Sequence, residues 1–265
     1  MDVRAALHVH STYSDGELSL REVRELFLRD GCRVVFMADH ADAFDADRLA
    51  AYAAECASLS DERLTLLPGL EFGCVRRMHV VGYGIVALPG SDDPTDVIAF
   101  IGAHGGVSVI AHPAPEHLPW IPTFRALPDG IEAWNTKYDG ASAPRPAVFA
   151  LIRQLQARRP GLKAFYGQDL HWRHQFRGLF AEMSPASAER EDLLGALRAG
   201  RFQGVIRSMT LPSDGDVSEA LLAEFGARNA RSRWIRAVIR RAKRMAGPIG
   251  RALPAGLKSQ LRRFF

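Results

Sequence analysis

Histidine and aspartate residues close to the start of the chain have the spacing of metal ligands. His8 and His10 are one residue apart after a short apolar run, and Asp15 follows just ahead of Gly16. In a β-strand, residues i and i+2 point to the same face, so the two imidazoles are expected to project side by side. A turn at residues 14–16 can bring the Asp15 carboxylate back towards them. Two imidazoles and a carboxylate at a strand end form a typical donor set for a transition metal.

More donors of the same two kinds follow along the chain: His40, Glu71, His79, His112, Asp169 and His171. This set suits Zn, Mn or Fe and is too rich in nitrogen for Ca or Mg. Nine donors exceed the needs of one ion, so we expect two to three divalent ions with a carboxylate such as Glu71 bridging them. A multinuclear site of this kind suits phosphoryl transfer. The sequence has no Gly-x-Ser-x-Gly elbow, Walker loop or His-Glu-x-x-His motif.

The elements that must position these residues are short apolar strands alternating with helices. Ser19 and Glu22 form a capping box for the first predicted helix, and Gly31 is a good C-terminal stop. The alternation predicts an α/β fold with parallel strands and right-handed crossovers, and the number of units indicates a small or distorted barrel. The ends of parallel strands share one rim, where active sites of such barrels lie. Six polar residues end predicted strands: His10, His40, Glu71, His112, Asn135 and Asp169.

The ordered motifs together resemble the PHP (polymerase and histidinol phosphatase) family over roughly residues 3–210. They are His8-x-His10 with Asp15-Gly16, Asp39-His40, Gly69-Leu70-Glu71, His79 before Gly82, Ala111-His112-Pro113 and Asp169-x-His171. The resemblance implies a distorted (β/α)7 TIM-like barrel with a trinuclear metal site at the C-terminal rim of the strands. It also implies a phosphoesterase activity, since the family includes phosphatases, phosphodiesterases and exonucleases.

The resemblance further implies how the ligands divide among three ions. One ion would be bound by His8, His10, Glu71 and Asp169, a second by Glu71, His79 and His112, and a third by Asp15, His40 and His171. Family members can take a Cys or His from the strand that here ends at Asn135. Asparagine is a poor ligand, so either His79 or another donor completes the second site.

The implied reaction is attack of a metal-bridging hydroxide on phosphorus, with Glu71 as the bridging carboxylate. Asp15, or a rim histidine such as His171, would protonate the leaving alkoxide. Cationic side chains must also receive the phosphate. Four candidates follow predicted strand ends: Lys137, Arg145, His174 and Arg177.

Charge divides the chain into an acidic body and a basic tail. Residues 226–265 contain twelve Lys and Arg and no acid, so the net charge of +4 leaves −8 for residues 1–225. We expect a barrel domain at residues 1–215 and a basic amphipathic helical tail at residues 216–265. The absence of a signal peptide, of a membrane span and of paired cysteine spacing (Cys32, Cys56 and Cys74) predicts a cytoplasmic protein.

The tail has an apolar stripe at helical spacing: Trp234, Ile235, Val238, Ile239, Ala242, Met245 and Ile249. Basic residues cover its other face, and Leu257–Phe265 repeats the mixture. The pattern favours an anionic membrane surface, which would place the protein peripherally at the inner face of the membrane. Contact with a nucleic-acid backbone and docking on the acidic body or on a partner remain as alternatives.

The predicted function is metal-dependent hydrolysis of a phosphate monoester or diester of a small metabolite or nucleotide. Family members that process oligoribonucleotides have an insertion between the positions of His79 and His112, and only about thirty residues separate them here. Nucleic acid is therefore the less favoured substrate, and no obligate protein partner is evident. The alternative is a non-catalytic or nuclease-accessory module that acts through the basic tail on membrane or nucleic acid.

Overall fold

The computed structural model describes residues 2–245, which form an α/β fold. The strands are β1 (Val3–Val9), β2 (Val34–Met37), β3 (Asp39–His40), β4 (Thr65–Leu67), β5 (Gly69–Cys74), β6 (Met78–Tyr83), β7 (Val107–Ala111), β8 (Gly130–Asn135), β9 (Lys163–Gly167), β10 (Phe180–Met183), β11 (Phe202–Ile206) and β12 (Met209–Pro212). The α-helices are α1 (Leu20–Arg29), α2 (Ala46–Leu59), α3 (Pro94–Ala103), α4 (Thr136–Asp139), α5 (Pro146–Gln156), α6 (Arg190–Ala199) and α7 (Glu219–Met245). The predicted α/β class is confirmed.

The strands form two six-stranded sheets that share a boundary. The first has the order β12-β11-β10-β1-β2-β4 and the second β3-β5-β6-β7-β8-β9. The chain crosses from the first sheet to the second at Ala38 and again at Pro68, and a bridge between Val9 and Leu170 joins the end of β1 to the segment after β9. The closed barrel expected from the sequence is not confirmed, because the strand pairings of residues 2–245 leave two sheets that do not close.

The expectation of parallel strands throughout is wrong for half of the pairings. β5, β6 and β7 are antiparallel neighbours, β10 is antiparallel to both β1 and β11, and β11 is antiparallel to β12. The connection at residues 75–77 is too short for a crossover, so β6 must return beside β5 in the opposite direction. His79 therefore reaches the rim from the beginning of its strand. Glu71 lies within β5 rather than at a strand end.

Local sequence signals account for the first helix. Ser19 and Glu22 cap α1 reciprocally, since the Ser19 hydroxyl accepts from the Glu22 amide and the Glu22 carboxylate accepts from the Ser19 amide. Gly31 then takes a φ of 77°, which glycine adopts readily. Apolar residues of α1, such as Val23 and Phe27, pack into a core formed by both sheets. Cys32, Cys56 and Cys74 are buried and free, as expected.

The helix predicted in the tail is present as far as it is described. The first half of α7 packs on the body through Leu222 and Phe225, which are buried. Further along, Trp234, Ile235 and Val238 are 67%, 40% and 46% exposed. The other apolar side chains named for this stripe, and Leu257–Phe265, lie outside what the structure describes, and the boundary at residue 216 stays a prediction. Among the described helices, none combines the length and the apolar character that crossing a bilayer requires.

Candidate metal centre

All nine predicted ligands lie together at the boundary of the two sheets. Their donor atoms form four overlapping groups in which the atoms are within 4.8 Å of one another. The groups are His10, Asp15, His40 and His171; His8, Glu71 and His112; His8, His10 and Asp169; and His40, Glu71 and His79. These four groups do not coincide with the three sets implied by the family resemblance, so the division of the residues among ions stays a prediction.

Glu71 occupies the middle of the cluster. Its Oε1 is 2.9 Å from Nδ1 of His79 and 3.0 Å from Nε2 of His112. Its Oε2 is 3.4 Å from a ring nitrogen of each of three further histidines: His8, His10 and His40. Burial raises the pKa of Glu71, but the surrounding histidines outweigh it and hold this pKa well below the ordinary value. An ionised carboxylate with both oxygens engaged is suited to bridging two ions.

Asp169 and Asp15 lie on opposite sides of His171. Oδ1 of Asp169 is 3.1 Å from Nδ1 of His171, and Oδ1 of Asp15 is 3.2 Å from its Nε2. Asp169 is buried, whereas the Asp15 side chain is 55% exposed. Burial raises the pKa of Asp169, but His8, His171 and His10 outweigh it and lower this pKa well below the ordinary value. Asp15 also approaches Nε2 of His40 at 3.7 Å, so it connects the cluster to solvent.

Three residues of the cluster adopt backbone conformations that non-glycine residues avoid. The φ values are 61° for His8, 50° for Asp169 and 27° for His112. The pairing of β1 with β2 shifts register between Leu7 and Val9, on either side of His8. The rings of His8 and His10 are side by side as predicted, 5.1 Å between centroids, although β1 is irregular there. Such conformations persist where the surrounding structure fixes them and are concentrated at functional sites.

Glu132 is a buried residue of the site that the sequence reasoning missed. It is fully buried in β8, where Oε1 lies 2.7 Å from Nδ1 of His8 and Oε2 accepts from the amide of His112 at 2.8 Å. A carboxylate bound to the far nitrogen of a ligand histidine fixes the tautomer and orients the ring. The signal was a lone charge in an apolar strand, Gly130-Ile131-Glu132-Ala133-Trp134.

Asn135 and Asp39 also support the cluster without belonging to it. The Asn135 amide donates to Glu132 at 2.9 Å and to Asp169 at 3.2 Å, so it orients two carboxylates rather than binding metal. Asp39 accepts from the hydroxyls of Ser11 and Ser14 and from the Ser11 amide, which fixes the turn that presents Asp15. Burial raises the pKa of Asp39 in spite of these hydrogen bonds.

Of the four predicted phosphate-binding residues, Lys137 is the one placed against the cluster. Its Nζ is 3.1 Å from Oδ1 of Asp169 and 3.1 Å from Nε2 of His171. Arg145 forms an ion pair with Asp139 and donates to the carbonyl of Pro113. Arg177 donates to backbone carbonyls of its own loop, and the ring of His174 stacks on Trp172. Phosphate binding by these four residues stays a prediction.

Unpaired buried nitrogens show that the cluster fits divalent ions. Nε2 of His8 and both ring nitrogens of His10 are buried without a hydrogen-bond partner among the described residues. Burial lowers the pKa of His10 well below its ordinary value, which leaves a neutral ring with a free lone pair. Buried polar atoms are normally hydrogen-bonded, and imidazole lone pairs next to ionised carboxylates are ligands for Zn, Mn or Fe. The residues present therefore suit the metals implied by the sequence, although the number and identity of the ions are not shown.

Comparisons with known proteins find similarity in structure and not in sequence. No family model and no curated protein matches the chain. A Bacteroides vulgatus two-domain protein containing a predicted PHP-like metal-dependent phosphoesterase superposes with a TM-score of 0.55 at 16% identity, over 86% of this chain and 70% of that one. PsfC of Pseudomonas syringae gives 0.55 at 15% identity, over 78% of this chain and 92% of that one.

A third similar structure is the lesion-specific endonuclease PfuEndoQ of Pyrococcus furiosus. The TM-score is 0.52 at 15% identity, and the match covers 83% of this chain and 61% of the endonuclease. This chain thus corresponds to less than two thirds of that protein. At these identities the likeness concerns the fold, and at that level the resemblance predicted from the sequence is confirmed.

Proposed function

We propose that this chain is a PHP-type metal-dependent hydrolase that cleaves phosphate esters of small metabolites or nucleotides. The observation that carries the proposal is the convergence of nine histidine and carboxylate residues around Glu71, from positions spread between residues 8 and 171. The fold shared with a predicted PHP-like phosphoesterase supports the same conclusion. A site retired from catalysis would have no reason to retain so complete a ligand set.

The side chains of the cluster would divide the work between binding and proton transfer. Two or three divalent ions would supply Lewis acidity, charge neutralisation and water of lowered pKa. Lys137 would bind a phosphoryl oxygen, because its ammonium already lies between Asp169 and His171. Asp15 or His171 would deliver a proton to the leaving oxygen, since they are in contact with each other and Asp15 is open to solvent. Glu132 would keep the His8 ring in its binding orientation.

The proposal is tested by hydrolysis of p-nitrophenyl phosphate and its bis-ester by protein supplied with Mn²⁺. Asp169→Asn should abolish turnover, because it removes a ligand charge from the buried side of the cluster. Asp47→Asn is the matched control, since Asp47 is exposed on α2 away from the cluster and should retain full activity. Wild-type turnover that survives exhaustive chelation would contradict the proposal.

We propose in addition that α7 binds an anionic membrane surface at the cytoplasmic face. The exposed side chains of Trp234, Ile235 and Val238 are spaced to lie on one helix face, and residues 226–265 contain twelve basic residues and no acid. Trp234→Glu should weaken sedimentation with phosphatidylserine-containing vesicles by about tenfold, from the loss of on the order of 1–2 kcal/mol of apolar burial. Trp172→Glu, an exposed Trp on the body, is the control. Equal sedimentation of wild type and Trp234→Glu would refute this docking mode.

A further inference from the structure

A cavity of about 710 Å³ opens onto one side of the candidate metal centre. Asp15, His40 and His79 of the cluster form part of its wall. Phe72, Leu88 and Pro89 give it an apolar surface on another side. A substrate whose phosphorus lies at the cluster therefore has room here for the alcohol half of the ester.

The charges around the cavity are unevenly distributed. Its described lining contains two carboxylates, Asp15 and Asp42, and no Lys or Arg. Asp15 contacts His171 and belongs to the cluster, so Asp42 is the charged lining residue left for a ligand. Asp42 is exposed, lies in the turn directly after His40 and forms no ion pair with any residue in the described part of the chain. The lining hydroxyls are already engaged, since Ser14 donates to Asp39 and Ser91 donates to Asp96.

Two arginines from neighbouring segments are engaged elsewhere. The guanidinium of Arg48 donates to the carbonyl of Tyr13, and that of Arg76 lies 4.4 Å from the ring centroid of Trp120. The cation that contacts the cluster, Lys137, approaches from Asp169 and is not part of the cavity wall. The site therefore has opposite charges on two sides. An ammonium group lies beside the cluster, and a free carboxylate lies in the adjoining cavity.

We infer that this cavity receives the alcohol of the ester and that Asp42 selects an alcohol carrying a positive charge, such as an amino alcohol. The inference rests on the proposed function, because it assigns a substrate class to the same site. A unit charge about 6 Å away in water-like surroundings changes a rate by about threefold. A cationic alcohol should therefore be favoured over an anionic alcohol of equal size by about tenfold. A polyanionic substrate such as a nucleic-acid strand fits this cavity poorly.

Three two-carbon phosphomonoesters of nearly equal size test the inference. They are phosphoethanolamine, ethylene glycol monophosphate and phosphoglycolate, whose alcohol ends are cationic, neutral and anionic. For the wild type we expect kcat/KM to fall in that order, with about tenfold between the ends of the series. Asp42→Asn should bring the three values together, and Asp42→Lys should reverse their order. Asp47→Asn makes the same charge change outside the cavity lining and should leave the order intact.

Several results would overturn the inference while leaving the proposed function in place. One is a wild-type series without charge preference, and another is a preference that Asp42→Asn leaves unchanged. Hydrolysis of p-nitrophenyl phosphate without hydrolysis of any member of the series would count against it in the same way. If no phosphate ester is cleaved at all, the proposed function fails and the inference falls with it.

Discussion

The cluster has an inner half and an outer half that are held in place by different means. The inner half, His8, Glu71 and Asp169, is almost completely buried. The outer half, Asp15, His40 and His79, faces the cavity and keeps between about a quarter and a half of its side-chain surface exposed. Both halves contribute the same types of ligand, so the contrast concerns support rather than chemistry.

Buried side chains support the inner half, whereas a tight turn supports Asp15 in the outer half. Glu132 hydrogen-bonds His8, and Asn135 hydrogen-bonds Asp169. Gly167 leaves room for the Glu132 side chain, because a Cβ at Gly167 would lie 1.9 Å from Oε1 of Glu132. Asp15 instead depends on a turn in which Gly16 packs against the backbone of His10 and Ser11. The inner half should therefore respond most to changes of side-chain chemistry, and the outer half most to changes of backbone shape.

The largest effect is expected at Glu71, the inner residue that also contacts His40 and His79 of the outer half. Glu71→Gln keeps the shape but removes the charge that faces five histidines, so both halves should lose metal together. We expect a fall in kcat of about 10³-fold or more, since metal activation supplies several kcal/mol. Metal content by mass spectrometry and p-nitrophenyl phosphate turnover measure the effect, with exposed Glu62→Gln as control. Loss of one ion with the other retained would mean that Glu71 does not bridge.

The next largest effect should be confined to the inner half. Glu132→Gln replaces the carboxylate that orients His8, and loss of such a supporting group typically lowers metal affinity by about 10–100-fold. Titration with Mn²⁺ should show weakening at the sites that His8 helps to form, with the remaining sites unchanged.

Ser14→Ala is the corresponding test in the outer half. It removes one of the hydrogen bonds that Asp39 accepts, so its effect should be a few-fold at most. Equal effects of Glu132→Gln and Ser14→Ala on metal affinity would contradict the claim that the two halves are supported by different means.

A backbone change at Gly16 should affect the outer half more than the inner half. A Cβ there would lie 2.7 Å from the carbonyl carbon of His10 and 2.7 Å from the amide nitrogen of Ser11. Both are backbone atoms, which cannot move aside without a substantial energetic cost. Gly16→Ala should cost about 1–3 kcal/mol in the free energy of unfolding and should release the outer ion first. Urea unfolding and metal counting measure both quantities.

Gly195→Ala in α6 is the control for that change. A Cβ at Gly195 meets nothing within 4 Å, so alanine should stabilise the helix by about 0.5–1 kcal/mol. Retention of every ion by a destabilised Gly16→Ala protein would contradict a dependence of the outer half on this turn.

The smallest expected effect is a pH dependence that arises mainly in the inner half. Burial lowers the pKa of His8, but Glu132, Glu71 and Asp169 outweigh it and raise this pKa well above its ordinary value. Metal addition at neutral pH should therefore release a proton from His8. Its contribution to the stability of metal-free protein is complete below the unfolded pKa of about 6.5 and is lost as pH rises through the folded value.

Thermal unfolding of chelated protein between pH 6 and pH 9 measures that dependence. The Tm should fall with rising pH, and the metal-loaded protein should lack this fall. Burial lowers the pKa of His79, but Glu71 outweighs it and raises this pKa, which adds a change of the same sign in the outer half. Glu132→Gln should reduce the fall. A Tm that rises across this range would mean that His8 is neutral before metal binds.

The convergence of the candidate ligands could be predicted from the sequence, because strand order brings distant positions to one edge. His10, His112 and Asp169 follow apolar runs, and the alternation of strands and helices is enough to place them together. Glu132 could not be found in that way, because a carboxylate within an apolar strand is explained only by the partners that surround it. The position of Glu71 inside β5, and the approach of His79 from an antiparallel strand, depend on a three-residue connection whose geometry the pattern of apolar residues does not contain.

The left-handed backbone at His8, His112 and Asp169 should make the stability of this protein depend on the metal available in its cell. Each such conformation costs on the order of 1–3 kcal/mol, against a total stability of about 5–15 kcal/mol for a typical domain. Glycine would relieve the cost but would remove the ligand. Bound ions offset this cost, because they stabilise the folded state by mass action. A chain synthesised when metal is scarce should therefore unfold more often and be degraded sooner. The amount of folded protein would then follow the availability of divalent metal.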